Sequence, residues 1–185
     1  KSKAYHDPAG SWDDLELSLY IQEPRPQTPK RFSKLTLDNK TGAFRLSRDY
    51  EPGTIERIID KYGRSSFLLN GNPEISEELK KEFRLSEESN FGYRSFYRTI
   101  NGLPMSLTDN TWITLKDAET MSFDGREVYL IGVELKEPMI SKEWSLMIAR
   151  DNYALVALRF EHEGEGTEGQ EDELIVFDGE YRLKA

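Results

Sequence analysis

Along most of the chain, apolar and polar side chains alternate with a period of two. Leu15, Leu17, Leu19 and Ile21 alternate with Glu16, Ser18 and Tyr20. Leu35 and Leu37, Phe44 and Leu46, Ile55 to Tyr62, and Phe67 to Leu69 continue the pattern. Further along come Trp112 to Leu115, the set Tyr129, Ile131, Val133 and Leu135, then Trp144 to Ile148, Ala154 to Phe160, Leu174 to Phe177 and Tyr181 to Leu183. A period of two puts every second side chain on one face of a strand, so these runs predict half-buried β-strands. Asp124-Gly125, Asp151-Asn152 and Asp178-Gly179 supply the left-handed backbone that two-residue hairpins need, and Asn39–Gly42 and Pro52-Gly53 mark looser turns. Strands joined so closely pair antiparallel. The pattern therefore predicts a meander of about ten strands.

The period changes between residues 73 and 104. Ser76-Glu-Glu-Leu-Lys-Lys-Glu-Phe83 begins with an N-cap residue, carries acids in its first turn and lysines in its last, and so predicts a short helix. Tyr93, Phe96, Tyr97 and Ile100 recur at helical spacing, with Arg94 and Arg98 on another face and expected outside. Gly102 is expected to end this helix in a left-handed cap. Pro104 should push Leu103 out of the helical region, making Leu103, Met105 and Leu107 an extended apolar edge. The fold expected is mainly β (α+β): one domain over 1–185, a strongly curved antiparallel sheet or half-barrel, with a helical hairpin as a lid on its concave face. Between sheet and lid such an architecture leaves an apolar groove, with Phe96, Tyr97, Ile100, Leu103 and Met105 nearest a ligand. The alternative is that these residues simply complete the core.

Composition narrows the function. The 185 residues are 37% apolar and 32% charged, with a net charge of −9. The chain has no basic stripe, which argues against a nucleic-acid partner. With no cysteine there can be no disulfide, thiol catalysis, iron–sulfur cluster or cysteine-bound zinc. No apolar run reaches the length of a membrane-spanning helix. His6-Asp7 is either an acid–base or metal-binding pair or, the favoured reading, the turn that ends an N-terminal helix, since two groups fall short of a catalytic zinc ligand set. No Gly-x-Ser-x-Gly elbow or His-Glu-x-x-His motif occurs. The acidic segment Glu161–Glu173 lacks the spacing of a calcium-binding EF-hand and is expected to be a solvated loop. No catalytic residue, metal or cofactor is assigned, and the protein is expected not to be an enzyme; a hydrolase using His6 and some of the acids is the third reading. The chain starts at Lys1 without a methionine, which is taken as a mature form whose leader has been removed.

Tyr5-His-Asp-Pro8, Leu69-Asn-Gly-Asn-Pro-Glu-Ile-Ser76, Phe96–Asp109 with its Gly-Leu-Pro-Met core, and Tyr129-Leu-Ile-Gly-Val-Glu-Leu135 resemble a family of secreted or lipid-anchored Bacteroidota proteins, a domain of unknown function. The paired-strand block Glu143–Phe160 is also similar. Members often carry a cysteine soon after the first helix, where this chain has Glu87-Glu-Ser89. The family's architecture is similar to the periplasmic lipoprotein carriers of the LolA type, a half-barrel with a helical lid over an apolar cavity. The resemblance implies a secreted or periplasmic protein, or one lipid-anchored to the cell envelope. Such a protein would be monomeric and would bind a hydrophobic small molecule, a lipid or a lipoprotein acyl chain. The main alternative is a structural or interaction protein of the envelope whose groove is filled by its own side chains.

Overall fold

The computed structural model describes residues 1–23, 31–50, 53–108, 111–114, 117–136, 141–160 and 173–177. They form two compact units, one of Asp13–Arg98 and one of Lys1–Trp12 together with Thr99–Ala185. Both are built on antiparallel sheets, so the protein is mainly β.

In the first unit, β1 (Glu16–Glu23), β2 (Arg31–Asp38), β3 (Phe44–Asp49), β4 (Thr54–Ile59) and β5 (Ser65–Leu69) lie in the sheet in chain order. Leu35, Leu37, Phe44, Leu46 and Ile59 face inward as the alternation predicts, with Leu17, Leu19 and Ile21 beside them. On this face pack α2 (Glu77–Glu82) and the part of α3 (Glu87–Asn101) that carries Phe91, Tyr93, Phe96 and Tyr97. Both helices start on a serine: Leu79 N donates to Ser76 Oγ (3.4 Å) and Ser89 N to Ser86 Oγ (3.1 Å). Two turns are tied by aspartates. Asp38 Oδ1 accepts from the amides of Lys40 and Thr41 before Gly42 turns left-handed at φ 75°, and Asp60 Oδ1 accepts from those of Tyr62 and Arg64.

In the second unit, α1 (Ser2–His6) precedes a sheet of β6 (Trp112–Thr114), β7 (Glu119–Phe123), β8 (Arg126–Leu135), β9 (Glu143–Ala149), β10 (Leu155–Phe160) and β11 (Glu173–Val176). The order is β11-β10-β9-β8-β6, with β7 also paired to β8. One face carries Val133, Leu135, Trp144, Leu146, Ile148, Leu158 and Phe160, where Trp144 and Phe160 stack at 5.2 Å. The other face is apolar too, with Val128, Met147 and Ala157 buried. Simple alternation along β9 therefore understates its burial.

Several expectations change. The described strands fall into two sheets, neither closed into a barrel, because the helical segment separates β5 from β6 and no hairpin carries the meander across. β7 is an unforeseen strand; its only large apolar residues are Met121 and Phe123, although the Asp124-Gly125 turn (φ 48° and 73°) that makes it a hairpin with β8 was legible. At Asp151-Asn152 the left-handed residue is Tyr153 (φ 65°), and Asn152 Oδ1 accepts from Ala154 N (3.0 Å) across the turn. Gly102 does not take positive φ. The helix ends instead by tightening, with Gly102 N donating to Thr99 O and Leu103 N to Ile100 O. The chain then turns rather than extends: Ser106 N donates to Gly102 O (2.8 Å) and Leu107 N to Pro104 O (3.3 Å). β10 and β11 pair antiparallel. Residues 161–172 of the acidic segment, Pro52 and Leu115, the Asp178-Gly179 turn and the expected strand Tyr181–Leu183 lie outside the described residues.

Candidate functional site

The five residues expected near a ligand are used in two separate cores. Tyr97 is buried and Phe96 half-buried in the core of the five-stranded sheet, where their rings meet edge to face at 5.4 Å. Ile100 and Leu103 pack into the core of the second unit, and Met105 beside them is half-buried. Tyr93 is half-buried as well. Arg94 and Arg98, expected outside, are also half-buried, because their stems lie along the helix while their heads reach the β2–β3 turn. Arg94 Nη1 donates to Gly42 O (3.2 Å) and Arg98 Nε to Asn39 Oδ1 (3.2 Å).

A groove of about 600 Å³ lies elsewhere in the first unit, around the C-terminus of α2 and the first turn of α3. Tyr50, Phe83 and Tyr93 give it aromatic walls; Glu82, Arg84, Ser86, Glu88 and Ser89 give it polar ones, two of them acidic. The side chain behind this wall is Arg57, only 4% exposed. It sits at an inward position of β4, opposite Leu46 on β3 and Phe67 on β5. Its Nη2 donates to Phe83 O (2.6 Å), and its Nη1 to Ser89 Oγ (3.1 Å), Arg84 O (3.4 Å) and Asn90 Oδ1 (3.4 Å). The Tyr93 ring lies 4.4 Å from the guanidinium carbon. Among the described residues every acceptor of Arg57 is uncharged. Burial accordingly pushes its pKa below the ordinary arginine value; Tyr93 and Tyr50 oppose that shift and Arg48 adds to it.

Arg48 is the next inward position along β3, equally buried, and donates from Nε to Ser33 Oγ (2.9 Å) and from Nη2 to Tyr97 Oη (2.5 Å). Asn90 locks the arrangement. Fully buried, it accepts from Arg57 and donates from Nδ2 to Ser65 Oγ (2.8 Å) and to the carbonyls of Ile58 and Ser66 (both 3.3 Å). No protein-family model matches this chain, and no curated protein matches it either. The likeness to the Bacteroidota family therefore rests on the motifs quoted above alone.

The loop after α2 has a second unusual feature. Leu85 N donates to Lys80 O (2.8 Å) and Arg84 N to Lys81 O (3.2 Å), the bonds of a Schellman cap. The left-handed residue of that cap, where glycine is usual, is Arg84 at φ 49°. Sequence reasoning missed this site, yet a signal for it was present. In Phe44-Arg-Leu-Ser-Arg48 and Ile55-Glu-Arg-Ile-Ile59 the strand period assigns an arginine to the core side.

His6 and Asp7 end α1 as a turn. Asp7 accepts from Ser11 N (2.9 Å) and Trp12 N (2.8 Å), and His6 Nε2 accepts from Leu155 N (2.9 Å). Among the described residues no helix is long and apolar enough to cross a membrane. The acidic segment also contains Gly164-Glu-Gly-Thr-Glu-Gly169, the glycine spacing of a dinucleotide-binding turn. Its interleaved glutamates would repel a pyrophosphate.

Proposed function

We propose that the protein is a non-enzymatic, extracytoplasmic binding protein, secreted or periplasmic and acting as a monomer, that takes up an apolar or amphipathic molecule such as a lipid or lipoprotein acyl chain. In this reading the five-stranded sheet is the curved wall, and α2 and α3 form the lid. The observation that carries it is the groove edged by Tyr50, Phe83 and Tyr93. Its volume falls within the range of small-molecule sites, roughly 300–1,000 Å³, and its walls pair aromatic surface with a few convergent polar groups. Native mass spectrometry of protein isolated from its own envelope, together with titration by a fluorescent fatty acid, tests the proposal. A bound lipid or saturable uptake is expected. Protein that carries no lipid and shows no uptake above background would leave the envelope scaffold as the function.

That second reading has its own observation. Tyr97, Leu103 and Leu107 are buried, so the helix and the turn after it contribute to cores as a scaffold's would.

A further inference from the structure

Resting on that reading, we infer that the groove recognises one negative charge on its ligand, and that Arg84 at the mouth and Arg57 behind the wall are the groups that read it. The ligand class is a monoanionic amphiphile: a carboxylate or similar anion on an apolar chain.

Three observations converge. Arg57 is a buried cation whose acceptors are two carbonyls, a hydroxyl and an amide, so its charge meets no opposite charge among the described residues. A guanidinium so placed keeps its attraction for an anion, and low polarity around it strengthens that attraction. The carbonyls of Phe83 and Arg84 and the hydroxyl of Ser89, which accept from Arg57, belong to residues that line the groove. The guanidinium is thus one residue's thickness from the cavity. Lastly, Arg84 holds a backbone conformation that glycine would hold with less strain, while its side chain is exposed along the groove. Strain kept at a groove-lining residue points to a use for the side chain.

Glu82 and Glu88 line the same groove. They disfavour a second negative charge on the ligand. Tyr50, Phe83 and Tyr93 line the groove beside them and supply the apolar surface for the rest of the ligand.

The test compares decanoate with 1-decanol, which has the same chain without the charge, by calorimetric titration of the whole protein below micelle-forming concentrations. Wild type is expected to bind decanoate at least tenfold more tightly than decanol. Arg84→Gly is expected to lose at least fivefold more affinity for decanoate than for decanol, and to melt about 2–4 °C higher because its cap is relaxed. Ser89→Asp places a carboxylate against Arg57 in the first turn of α3. It should melt no lower than wild type and abolish the preference for decanoate. Decanol bound as tightly as decanoate, or an Arg84→Gly protein that binds decanoate like wild type, overturns the charge recognition and leaves the proposed function standing. If neither probe binds, the proposed function itself falls, and this inference with it.

Discussion

Asn90 shows how much one side chain can hold. Its amide joins α3 to the backbone of β4 and β5 and to Ser65, while its carbonyl oxygen meets Arg57. Removing it leaves buried donors and acceptors without partners, at a cost of about 1–3 kcal/mol per group. Asn90→Ala is therefore expected to lose roughly 2–4 kcal/mol in urea denaturation. Phe96 is a contrasting case. A fully buried phenylalanine costs about 3–5 kcal/mol when cut to alanine, but Phe96 is only half-buried, so Phe96→Ala should lose roughly 1.5–2.5 kcal/mol. A loss of about 3–5 kcal/mol, the range of a fully buried ring, would mean that Phe96 is more enclosed than its exposure indicates.

At the scale of elements, turns are set by aspartates as much as by glycines. Asp60 binds the β4–β5 turn through the amides of Tyr62 and Arg64 and through the Arg64 side chain. The backbone hydrogen bond from Arg64, followed by its side chain and the Tyr62 amide, holds the Asp60 carboxyl below its ordinary value of 3.8. A carboxyl depressed on folding contributes stability that is complete above the ordinary value and is lost as pH falls through the depressed one. Melting curves of wild type and Asp60→Asn should thus differ most above the ordinary carboxyl value of 3.8 and converge as pH falls through the depressed one. A gap that stays constant across this range would show that the turn does not depend on the charge. Asp38, lowered chiefly by the Thr41 hydroxyl and then by its amide, should behave alike in the β2–β3 turn.

For the molecule as a whole, the pairing order sets where the backbone is best protected. β3 and β9 each have a paired neighbour on both sides, whereas β1 and β11 each have one among the described strands. Hydrogen exchange should be slowest for the amides of β3 and β9 and fastest along β1 and β11. Fast exchange in β9 would indicate that the second sheet opens as a unit. The net charge of −9 bears on binding at the same scale, since it raises the electrostatic cost of any anionic ligand. Recognition of an anion therefore needs local cations such as Arg57 and Arg84.

The alternation of apolar residues, the aspartate and glycine turns, and the serine at Ser76 act through bonds a few residues apart, so most strands, the hairpin turns and the helix after Ser76 were legible without the fold. Register-level facts needed the fold. Two sheets rather than one, the burial of Met147 and Ala157 on a second apolar face, and β7 all depend on which strands lie side by side, which period alone does not encode. The aromatic stripe of α3 was legible as a packing face, but which core each ring would enter was not. Most of all, Arg48 and Arg57 stood in plain alternation with core residues, yet only tertiary structure decided that they stay there. Partners from β2, the end of α2 and the first turns of α3, distant in sequence, supply the hydrogen bonds without which a buried guanidinium is too costly to keep.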